Sequence, residues 1–501
     1  MIKLLIILLL FIAQSAGAQL ATGSGTIGDP YQIWYLEDLA AIQTNQPGYF
    51  KMMADLDFDD PASYESGTVN TAWTTGTGWT PFNVTDCFLD GNNKTISNLY
   101  SNQVSAGLFL VYSASIATTS IMLNDITLDG ANLSGTDAVA VQEISGCAVE
   151  NVSFRNAVTT GVVSSGFSKS IDGAGVAGLD VENVLIKATN NTVISPLGDV
   201  IDSTIENAQI ASITLDVYST SIGGIARLLR NSTIASTTVS GLTINSLYDS
   251  TAQVFIGGGF TTVDNSSSIT GLVMAGVTIN AHAGNIGGMA ASVVNSSIAG
   301  SSVAVDMVID TTIDSTEEAR AGLVWSLQAS SIDECFSIAT ITAVAGFRAS
   351  HAGLIGHMQS STALNSYSNG GTITSGTSFG STSCFVISVN DFSSVNKCYS
   401  ANIADRGFSF SEGAGTVTNS YYNADLISTS SSEATGKTTA EMYQEATFSD
   451  WDFASIWSIE EGTDYPRLQW AIPEPEPLLI KFGIGTLKFS TNGALKFGGI
   501  E

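Results

Sequence analysis

An all-β fold, a right-handed parallel β-helix with short helical caps at both ends, is what the sequence predicts, on three observations. A glycine followed by a short apolar strand recurs through the middle of the chain at nearly constant steps. A second marker, a cluster of asparagine and serine ahead of an isoleucine, moves with it. The residues between are turn formers and β-branched residues, where helical repeats would carry Leu, Ala, Glu and Lys.

The first marker reads Gly223-Gly224-Ile225-Ala226, Gly257-Gly258-Gly259-Phe260, Gly287-Gly288-Met289-Ala290, Ala321-Gly322-Leu323-Val324 and Ala352-Gly353-Leu354-Ile355. From Gly224 to Gly258, Gly288, Gly322 and Gly353 the steps are 34, 30, 34 and 31 residues. The second marker is Asn231 to Ile234, Asn265 to Ile269, Asn295 to Ile298 and Ser330 to Ile332. Upstream, Asn124-Asp125, Glu150-Asn151, Glu182-Asn183 and Glu206-Asn207 open a related unit. About 25–35 residues hold three short strands, and coils of that size stack about 4.8 Å apart, each strand pairing with its equivalents above and below. Inward positions then need Ile, Val, Ala, Leu and Gly, while Asn231, Asn265 and Asn295 fall at tight turns where an amide can bond backbone groups.

Composition sets the surroundings. Charged residues are 13% of the chain, against about 25% in ordinary domains, so Ser, Thr and Asn must cover the surface. The net charge is −29, and loss of residues 1–18 removes only Lys3, leaving −30. Such a field repels nucleic acid and anionic membranes. Lys3, the apolar run Leu4 to Ala13 and the small residues Ala16 to Ala18 read as a cleaved signal peptide, residues 1–18, with Gln19 as the mature N-terminus and an extracellular or cell-surface address. That run is too short to cross a bilayer, which needs about 20 apolar residues. Cys87, Cys147, Cys335, Cys384 and Cys398 are odd in number and lack CxxC spacing; they read mostly as small buried residues, with a Cys384–Cys398 bridge as the alternative.

A stack has two open ends, and both ends of this chain change character. Residues 19–84 read as an N-terminal cap, with a short helix over residues 35–44 whose Leu36, Leu39 and Ile42 share one side. Residues 85–425 hold the repeats. Residues 426–472 read as a C-terminal cap with a helix at 438–446, opened by the capping-box pair Thr438 and Glu441. Residues 473–477 are a stiff Pro/Glu linker. Residues 478–501, with Lys481-Phe482, Lys488-Phe489 and Lys496-Phe497, form a basic tail that reads as an attachment or oligomerisation module or as a flexible end.

Several of these residues resemble a known group. Gly25 to Ile33, Leu36 to Leu39, Phe88 to Tyr100 and Gly107 to Phe109 look like the opening of bacterial GLUG-repeat proteins, and Ser420 to Asn423, Thr438 to Met442, Trp451 to Phe453 and Gly462 to Trp470 look like their far end. The resemblance covers roughly residues 23–470. It implies exported, surface-associated, adhesin-like β-helical proteins. The expected function is therefore a secreted or cell-surface binding protein without catalysis, whose partners are glycans or another cell surface. The alternatives are a structural or viral receptor-binding fibre, and a polysaccharide lyase or hydrolase.

Candidate chemistry is sparse, and no catalytic, cofactor or metal residue is assigned. Gly23 to Gly28 spells G-x-G-x-x-G but follows the leader directly, without the strand and helix a dinucleotide site needs. His282, His351 and His357 read as surface or turn residues, with His351 and His357 on one face if a single strand holds both. Glycan cleavage needs paired carboxylates. The acidic groups, Asp55, Asp57, Asp59 and Asp60, and Glu317 with Glu318 beside Arg320, do not recur with a basic partner across repeats. Weak Ca²⁺ binding by Asp57, Asp59 and Asp60 has no fixed loop pattern behind it. Trp73 and Trp79 read as a packed cap under a loop, with sugar stacking as the alternative.

Overall fold

The computed structural model describes residues 22–472 except 116–120, 189–194, 248–253, 283, 310–317, 344–348, 375–380, 391, 412 and 431–432, together with the backbone of Leu479–Phe482, Gly485–Phe489 and Leu495–Phe497. The leader, residues 1–18, and the linker, residues 473–477, lie outside the described residues. The chain divides into two compact units, residues 1–438 and 439–501.

The first unit is a parallel β-helix, as the repeats predict. Twelve strands, from Phe82–Thr85 through Phe260–Asp264 to Ser409–Ser411, pair one after another in chain order and in parallel. A broad second sheet begins where Tyr31–Ile33 pairs with Gly48–Met52 and runs to Thr435–Lys437. From Ser221–Gly223 to Ser381–Ser383 a third, short sheet completes each coil. One coil therefore runs Phe255–Gly257, Phe260–Asp264, Ser268–Thr270 and Val273–Ala281 before the next begins at Asn285.

The core follows from register. Ile205, Ile234, Ile269, Ile298, Ile332, Ala363 and Val395 are cross-strand partners on successive coils, and all are buried. In-register stacking brings like side chain against like, so each coil buries its neighbour's aliphatic surface. The helix Leu36–Ala41 continues as a 3₁₀ turn, Ile42–Thr44, and buries Leu36, Leu39 and Ile42 as the pattern predicts.

Corners explain the asparagines. Asn231, Asn265 and Asn295 have φ of 47°, 53° and 49°, the left-handed region that Asn tolerates better than most residues. Asn231 and Asn295 each turn the chain with one left-handed residue, while Asn265 does so together with Ser266, whose φ is 66°. The Asn231 amide bonds the Asp202 carboxylate one coil away, a side-chain partner where the sequence suggests a backbone one. The upstream marker needs a correction. Asn151 and Asn207 share one corner, but Asn183 occupies the next corner of its coil, since Asp180–Glu182 pairs with Gln209–Ala211 and not with Thr204–Glu206. The same short unit builds both corners, so its repeat length misleads.

After the corner that carries Asn231 and Asn295 runs a buried serine ladder. The backbone N–H of Ser203 donates to Ser232 Oγ at 3.0 Å, Ser232 to Ser267 at 3.2 Å, Ser267 to Ser296 at 3.2 Å, Ser296 to Ser330 at 3.0 Å and Ser330 to Ser361 at 3.1 Å. Each hydroxyl in turn donates to a carbonyl at the end of the preceding strand, as Ser330 does to Gln328 O at 2.6 Å. The corner interrupts the regular ladder, and the hydroxyl supplies the acceptor that a buried N–H requires.

The cysteines belong to the same logic. All five are free and buried, so the Cys384–Cys398 bridge is not formed. Cys335 and Cys398 stand in a sister ladder with Ser366 and Ser420: the Cys335 N–H donates to Ser366 Oγ at 3.1 Å and the Cys398 N–H to Ser420 Oγ at 3.2 Å. Their thiols donate back to Asp333 O and Asn396 O as serine would. Burial pushes the thiols up, Cys87 to about 11 and Cys147, Cys335, Cys384 and Cys398 to about 12. The native chain is thus expected to react with none of its five thiols toward Ellman's reagent at pH 8, and with all five in 6 M guanidinium; rapid native labelling would contradict the burial.

The second unit holds the helix Thr439–Met442, the turn Glu445–Thr447 and an antiparallel pair, Trp457–Ser458 with Arg467–Leu468. Phe448, Trp451 and Trp457 make its aromatic nest, with ring centroids 4.7 and 4.4 Å apart. The tail strands pair in antiparallel order, Leu479–Phe482 with Gly485–Phe489 and Gly485–Phe489 with Leu495–Phe497.

Candidate functional site

Two surfaces of the β-helix combine chemistry with repetition. The first flanks the inner isoleucine column. Strand alternation turns the preceding residue outward, and that position is Thr204, Thr233, Ser268, Ser297, Ser331, Thr362, Ser394 and Thr416 on successive coils. Every one is exposed or half-exposed. The result is an uninterrupted column of hydroxyls without charge, repeating at the coil spacing of about 4.8 Å. Beside it the corner opens a groove of about 460 Å³, lined by Ser266, Asn295, Ser297, Ser331 and Ser360 among others.

The second surface is an outer corner between the short sheet and the twelve-stranded sheet. Trp325, half-buried, lies 5.7 Å from Phe255 and 6.3 Å from His357, ring centroid to centroid. Ala319, Ala352 and Ile387 pack against it as an apolar cluster separate from the core. Its indole Nε1 is closed off from solvent and has no hydrogen-bond partner among the described residues. His357 Nδ1 meets Ser388 Oγ at 2.8 Å across adjacent strands. Burial holds His357 below the usual imidazole range, so it is neutral near pH 7 and can donate from one nitrogen and accept at the other.

The histidines correct the sequence reading. His351 is fully buried, and His351 and His357 do not share a face: Ala349–Ala352 and Ile355–Gln359 are different strands in different sheets, joined by a corner at Gly353 and Leu354. His351 occupies an inward row with Ile256, Ile286, Arg320 and Thr382, and Arg320 is equally buried. Desolvation first, and the Arg320 charge second, hold His351 well below the usual range. Nothing in the local sequence marks Arg320 as interior, because its place depends on how the coils align.

A pH dependence follows. A histidine that stays neutral in the fold but takes up a proton when unfolded, near pH 6.5, favours unfolding in acid. Its stabilising effect is complete above the unfolded value and shrinks as pH falls below it, by at most about 1.4 kcal/mol per pH unit for each such histidine. The urea midpoint is expected to drop between pH 7.5 and 5.5, and His351→Gln is expected to flatten that drop; an unchanged slope in the variant would count against the buried, neutral assignment.

The remaining nominated residues take structural roles. Asp57 Oδ1 accepts from the Asp59 N–H at 2.9 Å and from Asn98 Nδ2 at 2.9 Å, Asp60 from the Ala62 N–H at 2.9 Å, and Asp55 from the Thr95 N–H at 2.9 Å. These carboxylates hold loop backbone. Among the described residues no group of three or more His, Cys, Asp or Glu is placed to hold a metal ion. Glu317 lies outside the described residues, and Glu318 begins the strand Glu318–Ala321. Trp79 is buried with Nε1 on Leu108 O at 3.0 Å, and Trp73 packs on it and on Tyr64, which makes them a packed cap. Gly23 and Gly25 turn the entry loop at φ of 90° and 73°. His282 is half-exposed after the strand Val273–Ala281. Among the described residues, no helix is long and apolar enough to cross a membrane.

No family model matches the chain. Halomucin of Haloquadratum walsbyi is 33% identical over 153 residues, which is 28% of this chain and 2% of halomucin. The match thus spans a small fraction of that relative. A Bacteroides ovatus structure described as an immunoglobulin A1 protease aligns over 90% of this chain and 95% of its own at 15% identity, with a TM-score of 0.19. The Agl-KA catalytic domain aligns over 73% and 68% at 12% identity, with a TM-score of 0.22. At such TM-scores neither likeness carries an argument about activity.

Proposed function

We propose that this chain is an exported, adhesin-like binding protein of the extracellular space or cell surface, which holds a glycan or another cell surface by many weak contacts and without catalysis. The hydroxyl column from Thr204 to Thr416 carries this reading. A rigid ladder of uncharged donors and acceptors presents the same group on every coil, and a repetitive partner then gains affinity by multivalency. The terminal motifs, Leu36 to Leu39 and Gly462 to Trp470 among them, favour placing the chain with the GLUG-repeat surface proteins. The antiparallel tail strands favour a second reading, a structural fibre component that assembles or attaches through residues 478–501.

Residues 19–501 are expected to bind on a glycan array or in a cell-adhesion assay. Replacing Thr233, Ser268, Ser297 and Ser331 together by Ala is expected to weaken that binding at least about tenfold, since each lost hydrogen bond contributes about 0.5–1.5 kcal/mol. The same far-ultraviolet circular dichroism in the variant would show that the coils persist. Absence of binding by the parent chain in both assays would defeat the reading, whereas loss of assembly or surface retention on deleting residues 473–501 would support the fibre alternative.

A further inference from the structure

We propose that the outer corner formed by Phe255, Trp325 and His357 is a saccharide-stacking site that takes a neutral hexose unit of a polysaccharide. The proposal rests on the binding reading above and gives it a discrete subsite.

The row that holds Trp325 is otherwise Thr261, Ala291, Gly356 and Ile387 on successive coils, so a single indole stands among small and aliphatic neighbours. Its contact with Phe255, two coils back, shows that the ring leans across the coil of Ala291. On the other side Gly356 leaves room: a Cβ there would lie 3.1 Å from Trp325 Cδ1 and 2.2 Å from Trp325 O. The indole N–H is sealed from solvent, so the part of Trp325 that faces outward is aromatic carbon. Aromatic carbon suits the C–H face of a pyranose, in the way amphipathic rings serve wherever a partner is apolar on one side and polar on its rim.

The rim is also present. One residue along each strand the row is Thr262, Ser292, Ser326, His357 and Ser388, of which Thr262, Ser292 and His357 are half-exposed while Ser326 and Ser388 are buried. His357 Nδ1 is taken by Ser388, and Nε2 has no partner among the described residues, which leaves it for a sugar hydroxyl. The imidazole is held neutral by burial, and the chain carries −29, so an uncharged glycan is admitted where a sulfated or carboxylated one is repelled. A polysaccharide lying along the coils would stack at Trp325 and hydrogen-bond to His357 and to the half-exposed hydroxyls of Ser292 and Thr262.

The test is affinity electrophoresis of the full mature chain in gels containing soluble neutral polysaccharides (a β-glucan, an α-glucan and a mannan) or an anionic one (alginate), with titration of tryptophan fluorescence in parallel. Retardation by at least one neutral polysaccharide with a fluorescence change, and none by alginate, is expected. Trp325→Ala is expected to lose at least about tenfold in affinity, as truncation of an anchoring aromatic does. Trp325→Phe should retain most of it, and His357→Gln should lose less than Trp325→Ala. If Trp325→Ala does not fold, Trp325→Phe and the fluorescence of the parent chain still decide the matter. Equal affinity in Trp325→Ala and the parent, or glycan binding without any tryptophan response, would overturn the site while leaving the binding function standing. Failure of the parent chain on every glycan and on cells would instead remove the function itself.

Discussion

Gly288→Val is expected to leave little folded chain at 25 °C. Gly224, Gly258, Gly288, Gly322 and Gly353 stack at one corner, and a Cβ on Gly288 would lie 1.9 Å from Gly322 O and 2.9 Å from Val305 Cγ1. The same clash recurs at Gly258, 1.9 Å from Gly288 O, and at Gly322, 2.0 Å from Gly353 O. Coils held about 4.8 Å apart by hydrogen bonds on both flanks cannot open locally to admit a side chain. The cost falls in the exceptional range above about 4–5 kcal/mol, against a typical total stability of about 5–15 kcal/mol. Gly28→Ala is the control, because a Cβ there meets nothing within 4 Å. Circular dichroism melts and size-exclusion chromatography read the outcome. A Gly288→Val chain that melts within about 2 °C of the parent would refute the close approach, since 1 kcal/mol already moves a midpoint by about 2–4 °C in domains of 150–250 residues.

Ser330→Ala is expected to cost about 1–3 kcal/mol, although alanine is smaller and serine is common on this chain's surface. The substitution leaves the buried Ser296 N–H without the acceptor it has at 3.0 Å, and removes one of the two donors to Gln328 O, the hydroxyl at 2.6 Å, leaving the Asn295 N–H at 3.0 Å. An orphaned buried donor bears the full desolvation penalty. Ser330→Cys is expected to recover most of the loss, because Cys335 and Cys398 fill the equivalent place in the sister ladder. Urea unfolding of the two variants separates the readings: equal losses for Ala and Cys would show that volume, and not the acceptor, sets the stability.

The sequence by itself determined the β-helix. Its inner column of Ile205, Ile234, Ile269, Ile298 and Ile332 and its left-handed corner residues Asn231, Asn265 and Asn295 are local signals, each tied to one strand or one turn. The packed helix at Leu36 and Leu39 was legible for the same reason. Tertiary structure alone decided what each corner does to the residues after it. Alternation restarts at every bend, so the six-residue spacing of His351 and His357 puts one inside the coil and the other on its surface. Only the stacking of coils reveals that Arg320 lies against His351 indoors, that Trp325 meets Phe255 across an intervening coil, and that Asn183 and Asn207 turn different corners. Those relations join residues about 30 positions apart in register, and register is set by hydrogen bonding between coils, which no stretch of sequence the length of one strand contains.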